Sequence, residues 1–170
     1  GRDFAVMLKS LDDLGYAVEW RVINAADYGM PQRRRRVFFL GYLKNSKIYK
    51  DLASKEMRDW VLKEGVLGDA FKHAYVGEEE TFSLDKGIVS ISNSFNKEGK
   101  RSKFKNSGVM FNGEVLTFKT KPTYRGKNTV LKDIIEPGKV GDEFYIDNKQ
   151  IKDWEYLKGA KKEERTTASG

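Results

Sequence analysis

Four consecutive arginines, Arg33 to Arg36, follow Gln32 and lead directly into the apolar run Val37 to Leu40. A guanidinium carries a permanent positive charge and a planar set of N–H donors, which suits carboxylates and phosphates. Because the arginines stand where a strand enters a core, we do not expect all four to be solvated by water alone. The glutamine-arginine block (residues 32–36) therefore predicts a site that binds anions.

Side chains alternate between the two faces of a strand, so a strand beginning at Arg34 places Arg34 and Arg36 on one face and Arg33 and Arg35 on the other. Two interpretations are open for each arginine. It either contacts phosphates of a ligand, or it forms a structural ion pair with a carboxylate of the protein.

The whole chain has a net charge of +7, and its positive charge is concentrated in the second half. Between Ser94 and Lys132 two acidic residues oppose ten basic ones: Lys97, Lys100, Arg101, Lys103, Lys105, Lys119, Lys121, Arg125, Lys127 and Lys132. Such a basic region indicates phosphate binding, although a solvated lysine-rich surface is the alternative. We interpret the acidic run Glu78 to Glu80 as a solvated loop.

Several classes of function are disfavoured by composition. The chain has no cysteine and one histidine, His73, so we expect no disulfide, no thiolate chemistry and no metal site. No apolar run reaches the roughly 18 residues that a transmembrane helix needs, and no secretory signal is visible. We therefore expect no membrane association and a cytoplasmic location.

The elements that position the block are predicted from hydrophobic periodicity. Apolar residues at helical spacing predict a helix over Asp3–Leu14, and alternation predicts a strand over Ala17–Ile23. After a loop at residues 24–31, a second strand covers Arg36–Tyr42. Its continuous apolar run is typical of a strand buried on both faces of an α/β sheet.

Further along, the pattern predicts a helix over Lys55–Glu64 and mostly strands from Ile88 onward. Asn112-Gly113 between two apolar runs is a strong signal for a hairpin with a type I′ turn. The remaining predicted elements are a strand at Ile88–Ser92, a short helix at Thr129–Ile135, a strand at Glu143–Ile146, a helix at Asn148–Lys158 and a polar tail at 161–170.

The segment from Asp27 to Pro31 and the glutamine-arginine block after it resemble the corresponding block of bacterial DNA cytosine-5 methyltransferases. Weaker similarity extends to Phe104–Met110, Leu131–Ile135 and Glu143–Ile146. The resemblance implies a mixed α/β fold: the edge of a doubly wound S-adenosylmethionine-dependent methyltransferase sheet plus a small, β-rich α+β target-recognition domain. The implied domains are a C-terminal piece of the catalytic domain (1–44), a variable region with the target-recognition domain (45–160), and the tail (161–170).

The resemblance also implies roles in binding double-stranded DNA with base flipping. Gln32, Arg34 and Arg36 align with recurring polar positions of the family, Arg36 reaching the flipped cytosine near O2 and Arg34 its phosphate. Arg33 and Arg35 would touch backbone phosphates or carboxylates of a missing domain. Candidate contacts of the recognition domain are Lys103, Lys105, Arg125 and Lys127. The lysines would bind phosphates and Arg125 the edge of a guanine.

Three family features are missing from the chain: the glycine-rich loop for S-adenosylmethionine, the Pro-Cys pair with its nucleophile, and the Glu-Asn-Val segment that holds the base. We therefore expect no catalytic and no cofactor-binding residue here, and interpret the chain as an excised fragment or a subunit of a split enzyme. The parent enzyme would use S-adenosylmethionine to methylate cytosine in a specific sequence, as in restriction–modification, while the fragment alone would be inactive.

Two other readings of the sequence are open. The related enzymes that methylate tRNA share the fold, and a free-standing basic module that binds nucleic acid would share the charge. The arginine-rich block and the basic region at 88–135 favour the DNA enzymes. As partners we expect double-stranded DNA, the missing catalytic domain, and a second copy of the chain joined through the exposed edge at Val37–Leu40.

Overall fold

The computed structural model describes residues 1–96 and 102–158, and its contacts divide the chain into two compact units, residues 1–133 and 134–170. The described part of the first unit contains seven strands: β1 Tyr16–Asn24, β2 Arg35–Leu43, β3 His73–Tyr75, β4 Glu80–Ser83, β5 Ser107–Phe111, β6 Glu114–Phe118 and β7 Thr120–Pro122. Five of them form one antiparallel sheet in the order β2-β1-β5-β6-β4, and β3 pairs with β7 in a separate antiparallel ribbon.

The helices of the first unit are α1 Arg2–Asp13, α2 Lys47–Ala53, α3 Met57–Asp59, α4 Val66–Ala70 and α5 Ile88–Ser94. A π-helix at Trp60–Glu64 continues α3, and 3₁₀ turns cover Ala25–Tyr28 and Leu131–Asp133. The described part of the second unit contains 3₁₀ turns at Asp142–Phe144 and Asn148–Gln150 and the helix α6 Ile151–Lys158.

Each face of the large sheet has its own apolar core. On one face, Val18, Trp20 and Met110 of the sheet pack with Leu8 of α1 and Ile91 of α5. The other face carries a second cluster, made by Ala17, Tyr42, Leu52, Trp60, Val61, Val109, Leu116 and Phe118. The sheet is therefore covered on both sides, which explains why β1 is buried along most of its length.

Several predicted elements are confirmed. The first helix and the two strands around the block lie within one residue of their predicted positions. The helix predicted over Asn148–Lys158 is found as α6, after a 3₁₀ turn at Asn148–Gln150. The Asn112-Gly113 hairpin joins β5 to β6, with φ of +49° at Asn112 and +77° at Gly113. Two successive positive φ angles are what a type I′ turn requires.

The predicted strand at Ile88–Ser92 is wrong, because these residues belong to helix α5. Ile88, Ile91 and Phe95 also fit a helical spacing, and short apolar runs do not distinguish the two states. Burial of Ile91 against the α1 side of the sheet stabilises the helix.

Two predicted elements near the C-terminus are also wrong. Thr129–Ile135 forms only the 3₁₀ turn at Leu131–Asp133, where the Asp133 carboxylate accepts from the Val130 amide at 2.9 Å. Glu143–Ile146 contains a 3₁₀ turn instead of a strand and pairs with no strand in the described part of the chain. An isolated strand has no ladder to stabilise it. The predicted tail lies outside the described residues.

The predicted burial of β2 on both faces is wrong as well. β2 is an edge strand, hydrogen-bonded to β1 alone among the described strands, and Val37 and Phe38 are 47% and 44% exposed. The chain has a mixed α/β fold, as predicted. All pairings in the described sheet are antiparallel, and the described residues form no doubly wound parallel sheet. Since β1 pairs with β5, residues on both sides of position 44 share one antiparallel sheet.

Candidate nucleic-acid interface

The glutamine-arginine block spans the entry to β2. Its last two residues begin the strand, where Arg35 lies opposite Asn24 and Arg36 opposite Ile23 of β1. All five side chains of the block are exposed. A regular antiparallel ladder therefore holds the end of the block in place while its side chains remain accessible.

The four arginines of the block have no carboxylate partner among residues 1–96 and 102–158. The one hydrogen bond that a guanidinium of the block makes there runs from Arg36 Nη1 to the Arg35 carbonyl oxygen, at 2.8 Å. Unpaired guanidiniums keep their donors available for anions from outside. Within the described residues the interpretation as structural ion pairs therefore has no support.

The block is joined to a second basic segment, the loop at residues 123–130. The amide of Thr129 donates to the carbonyl oxygen of Gly29 at 2.9 Å. The Tyr124 hydroxyl donates to the Lys127 carbonyl oxygen at 3.2 Å, and the Tyr124 ring lies edge-on to Tyr28 with centroids 6.1 Å apart. The turn before the block and the 123–130 loop are therefore packed together.

Gly29 is the residue that permits this packing. Its φ is +84°, and a Cβ there would lie 2.5 Å from the Lys127 carbonyl oxygen and 2.8 Å from the Tyr124 ring. A side chain at position 29 would have to push the 123–130 loop away. Glycine supplies both the left-handed conformation and the close approach.

A groove of about 330 Å³ runs between the two segments, lined by Ala26, Gly29 to Arg33, and Asn128 to Leu131. Arg125 and Lys127 are exposed on the loop beside it and have no carboxylate partner in the described chain. The structure thus brings the 123–130 loop, which carries two of the predicted recognition residues, to the turn that precedes the block. Both segments present cations with free donors.

The other two predicted contacts lie elsewhere. Lys103 is exposed above the ring of Phe82, with its Nζ 5.2 Å from the ring centroid. Lys105 is 13% exposed, and its Nζ lies 3.5 Å from Glu78 Oε2 and 3.9 Å from Glu80 Oε1. The Lys105 ammonium group therefore already forms ion pairs with carboxylates of the protein.

Two buried charges of β1, Glu19 and Arg21, were missed by the sequence patterns. Arg21 is 1% exposed and donates to the carbonyl oxygens of Val61, Leu67 and Phe71 at 2.7, 3.0 and 2.9 Å. These carbonyls belong to the π-helix, to α4 and to Phe71, which directly follows α4. Arg21 therefore fixes residues 60–71 against the sheet; burial lowers its pKa, opposed by the charge of Glu19.

Glu19 is fully buried and accepts three hydrogen bonds. The donors are the Tyr42 hydroxyl at 2.6 Å, the Leu67 amide at 3.1 Å and the Trp60 indole at 3.2 Å. Burial raises the pKa of Glu19, while the donors and Arg21 act in the opposite direction. The sequence pattern placed Glu19 and Arg21 on one face of β1 with Ile23, but it gave no signal that this face is covered.

His73, the one histidine of the chain, begins β3 and contacts this network. Its Nδ1 lies 2.6 Å from Arg21 Nη1 and 2.8 Å from the Phe71 carbonyl oxygen. Burial, and secondarily the charge of Arg21, lower the pKa of His73. Since β3 pairs with β7, and β7 leads into the 123–130 loop, the buried network supports the ribbon that carries the loop.

The described residues contain no cluster of three histidine, cysteine or acidic side chains that could hold a metal ion. None of the described helices is both long and apolar enough to cross a membrane. The residues that the structure assembles are cations with free donors, an amide and backbone groups. Such a set binds and orients an anionic ligand, and it contains no nucleophile paired with a base.

Comparison with known proteins agrees with this chemistry. A family model of C-5 cytosine-specific DNA methylases matches residues 1–169. The chain is similar to the type II methyltransferase M.Sau3AI of Staphylococcus aureus, with 43% identity over 173 residues, covering 100% of this chain and 40% of the relative.

Other similarities are shorter. The type II methyltransferase M.BanI of Aneurinibacillus aneurinilyticus is 30% identical over 99 residues, covering 55% of the chain and 20% of the relative. M.NlaIV of Neisseria lactamica is 49% identical over 45 residues, or 26% and 11% of the two chains. The chain thus spans 40% of the length of the relative that it matches over its whole extent. No solved structure matches significantly.

Proposed function

Because the chain belongs to the C-5 cytosine-specific DNA methylase family, we propose that it is the DNA-binding part of a DNA cytosine-5 methyltransferase. The chain would supply contacts to the DNA backbone and to the target sequence. The whole enzyme would transfer a methyl group from S-adenosylmethionine to C5 of a cytosine. M.Sau3AI is named as a type II methyltransferase, which supports a place in restriction–modification.

The proposal rests on the arrangement of two cationic segments. The exposed arginines of the glutamine-arginine block have no carboxylate partner in the described chain. The turn before them is hydrogen-bonded to the 123–130 loop. Arginine binds phosphate with two parallel N–H donors. Two unpaired cationic segments fixed next to each other suit a polyanion with regularly spaced charges better than one small anion.

Within the block we assign the flipped nucleotide to Gln32, Arg34 and Arg36. Arg36 would donate to the cytosine near O2, and Arg34 to the adjacent phosphate. Extrusion of a base from the stack costs a few kcal/mol, which contacts of this kind offset. Arg125 would read a base edge, and Lys127 would contact a phosphate.

The described residues do not fit S-adenosylmethionine. They contain no parallel strand–helix–strand unit with a glycine-rich turn, and the sequence has no cysteine to attack the cytosine ring. We therefore assign no step of methyl transfer to this chain. In the whole enzyme, the cofactor site and the nucleophile would lie in other residues, and the chain tested by itself is expected to be inactive.

The open edge of β2 suggests how the chain joins the rest of such an enzyme. Edge strands with exposed apolar side chains are prone to pair with another strand. We propose that a strand of the catalytic domain pairs with β2, so that residues 1–44 complete its sheet and residues 45–160 form the variable and target-recognition region. A second copy of the chain would use the same edge when the catalytic domain is absent.

The proposal is tested by fluorescence anisotropy with the 170-residue chain, a pool of labelled duplex DNAs and a tRNA-like RNA, across a salt series. We expect duplex binding whose log affinity falls with log salt by about 0.9 per phosphate contacted. Duplexes retained at about 0.2 M salt would report recognition of sequence. A preference for the RNA would favour the tRNA-methylating relatives, and absence of any duplex binding at low salt would contradict the proposal.

A further inference from the structure

Arg35 faces a different groove from the one beside the 123–130 loop. This second groove has a volume of about 570 Å³, within the range of about 300 to 1,000 Å³ typical of ligand clefts. Its walls come from β1, β2 and β7, from the segment before β5, and from residues 27, 78 and 119. The charged residues among its lining are Asp27, Arg35, Glu78, Lys105 and Lys119.

The cations of this groove differ in whether they pair with a carboxylate of the protein. Arg35 makes no ion pair in the described chain, whereas Lys119 and Lys105 both contact one carboxylate, that of Glu78. Lys119 Nζ lies 2.8 Å from Glu78 Oε1, and Lys105 Nζ lies 3.5 Å from Glu78 Oε2. Glu78 therefore bridges the two lysines as one phosphate would, since a phosphate also presents several acceptor oxygens to neighbouring cations.

The backbone around Glu78 is held in an unusual conformation. Its φ is +53°, and the preceding Gly77 has a φ of +98°. Two backbone hydrogen bonds fix the turn to the end of β6: the Lys119 amide donates to the Gly77 carbonyl oxygen at 3.0 Å, and the Val76 amide to the Lys119 carbonyl oxygen at 2.9 Å. A left-handed conformation at a residue with a side chain is strained, and such strain is concentrated at functional sites.

The neighbouring Glu79 provides a contrast. Its carboxylate pairs with Arg58, whose guanidinium lies over the Tyr75 ring, and it does not line the groove. The acidic run is exposed, as predicted, but its carboxylates pair with different cations. Glu78 is directed to the groove, Glu79 away from it, and the pKa of Glu78 is held below its usual range by the hydrogen bond from Lys119, so the carboxylate stays charged at neutral pH.

We propose that this groove is a second phosphodiester-binding site, separate from that of Arg34 and Arg36, and that Glu78 occupies its two lysines when DNA is absent. The proposal rests on the proposed function, because its ligand is the backbone of the same duplex. Arg35 would bind the phosphate first, and the phosphate would displace Glu78 from Lys119. Glu78 thereby weakens binding to DNA of any sequence, because a phosphate has to displace its carboxylate from the groove.

The test compares Glu78→Gln with Glu79→Gln, which make the same change of charge at adjacent positions. The probe is a labelled 20-base-pair duplex of arbitrary sequence, with anisotropy measured from 50 to 200 mM salt. We expect Glu78→Gln to bind on the order of five- to tenfold more tightly at 50 mM salt and to steepen the salt slope by about 0.9. Glu79→Gln should change affinity less than about twofold, because it frees no cation in the groove.

A double variant tests whether the gain in duplex affinity depends on the cations of the groove. Adding Lys119→Gln or Arg35→Gln to Glu78→Gln should return the affinity and the salt slope to wild-type values or below. Equal effects of Glu78→Gln and Glu79→Gln, or a gain that survives loss of Lys119 and Arg35, would overturn the second site. Thermal unfolding of each variant verifies that the proteins remain folded.

The two proposals fail in different ways. If Arg34→Gln and Arg36→Gln weaken duplex binding while Glu78→Gln and Glu79→Gln behave alike, the DNA-binding function stands and the second groove is rejected. If neither the wild type nor any variant binds the duplex at 50 mM salt, both are rejected.

Discussion

The backbone amide of Thr129 donates to the carbonyl oxygen of Gly29 at 2.9 Å, and this bond joins two segments that are 100 positions apart in sequence. It fixes the 123–130 loop beside the turn that leads into the glutamine-arginine block. The Tyr28 and Tyr124 rings, which contact each other edge-on, also join the two segments. The relative position of the two cationic segments therefore depends on local backbone contacts, and these can be perturbed without touching an arginine.

Gly29→Ala should disrupt this junction. The added Cβ would meet the Lys127 carbonyl oxygen at 2.5 Å in a backbone with φ of +84°. We expect a loss of about 1 to 3 kcal/mol in the free energy of unfolding, measured by urea denaturation, together with weaker duplex binding. Gly15→Ala is the control, since its φ is +80° but a Cβ there makes only an ordinary contact, with Lys44 Cβ at 3.6 Å. Equal losses in both variants would show that the junction contributes nothing beyond backbone strain.

Removing charge from the block should change the salt dependence of binding. Arg34→Gln and Arg36→Gln each delete a guanidinium that is exposed and has no carboxylate partner in the described chain. If each guanidinium contacts a phosphate or a base, its loss lowers the affinity for a duplex. Where the lost contact is to a phosphate, the slope of log affinity against log salt also decreases by about 0.9. Arg2→Gln removes the same charge from α1, where Arg2 pairs with Asp3 at 3.1 Å, and should have little effect. A similar loss in all three variants would indicate a dependence on net charge alone.

The titration of His73 can be followed without ambiguity, because it is the one histidine in the chain. Burial and the charge of Arg21 lower its pKa in the folded protein below the ordinary value of 6.5. An NMR titration of the imidazole should therefore give a pKa below 6.5 in buffer and close to 6.5 in concentrated urea. A folded-state pKa at or above 6.5 would contradict the contact with Arg21.

The shift also predicts how stability depends on pH. Below pH 6.5 the unfolded chain binds a proton at His73 more readily than the folded chain, so this group destabilises the protein as pH falls, by up to about 1.4 kcal/mol per pH unit. The raised pKa of Glu19 acts with the opposite sign, because the folded state holds that proton more tightly above its ordinary value of 4.5. Comparing urea midpoints of wild type and His73→Gln between pH 5 and pH 7.5 isolates the contribution of His73.

Local elements could be predicted from the sequence, whereas their pairing could not. Helix α1 and the β5–β6 hairpin follow from hydrophobic spacing and from Asn112-Gly113, which act over a few residues. The pairing of β1 with β5 joins residues about 90 positions apart, and no local pattern specifies it. That pairing places β1 inside the sheet and leaves β2 at its edge.

For the candidate site, too, local features could be predicted from the sequence, whereas long-range contacts could not. The residue types of the block predicted anion binding directly, since four arginines before a strand require acceptors. The contact of Gly29 with the 123–130 loop was not predictable, because it depends on the ribbon of β3 and β7. Glu19 and Arg21 were not recognised as buried, because a charged residue in an alternating strand is usually taken to face solvent.

Tyr42→Phe should reveal how strongly the buried carboxylate depends on its donors. The variant removes the hydroxyl that donates to Glu19 Oε2 at 2.6 Å and leaves the Leu67 amide and the Trp60 indole. We expect a loss of about 1 to 3 kcal/mol in the free energy of unfolding, because a buried charged acceptor loses a partner. Tyr49→Phe removes an exposed hydroxyl bonded to Asn112 at 2.7 Å and should cost less. Equal costs would mean that burial of Glu19 does not strengthen the bond.

The open edge of β2 predicts self-association of the chain. Among the described strands β2 pairs only with β1, and it exposes Val37 and Phe38 by 47% and 44%. Light scattering over increasing protein concentration should show a dimer. Val37→Lys should suppress it, because a lysine on an edge strand opposes pairing with another strand.

Val89→Lys provides the matched control for this experiment. Val89 is 74% exposed but lies on α5, away from the edge of the sheet. If association depends on strand pairing through β2, Val37→Lys abolishes the dimer and Val89→Lys leaves it intact, although both add one positive charge and remove one exposed apolar side chain. A chain that stays monomeric at high concentration, or equal suppression by both variants, would show that the β2 edge does not pair with a second copy.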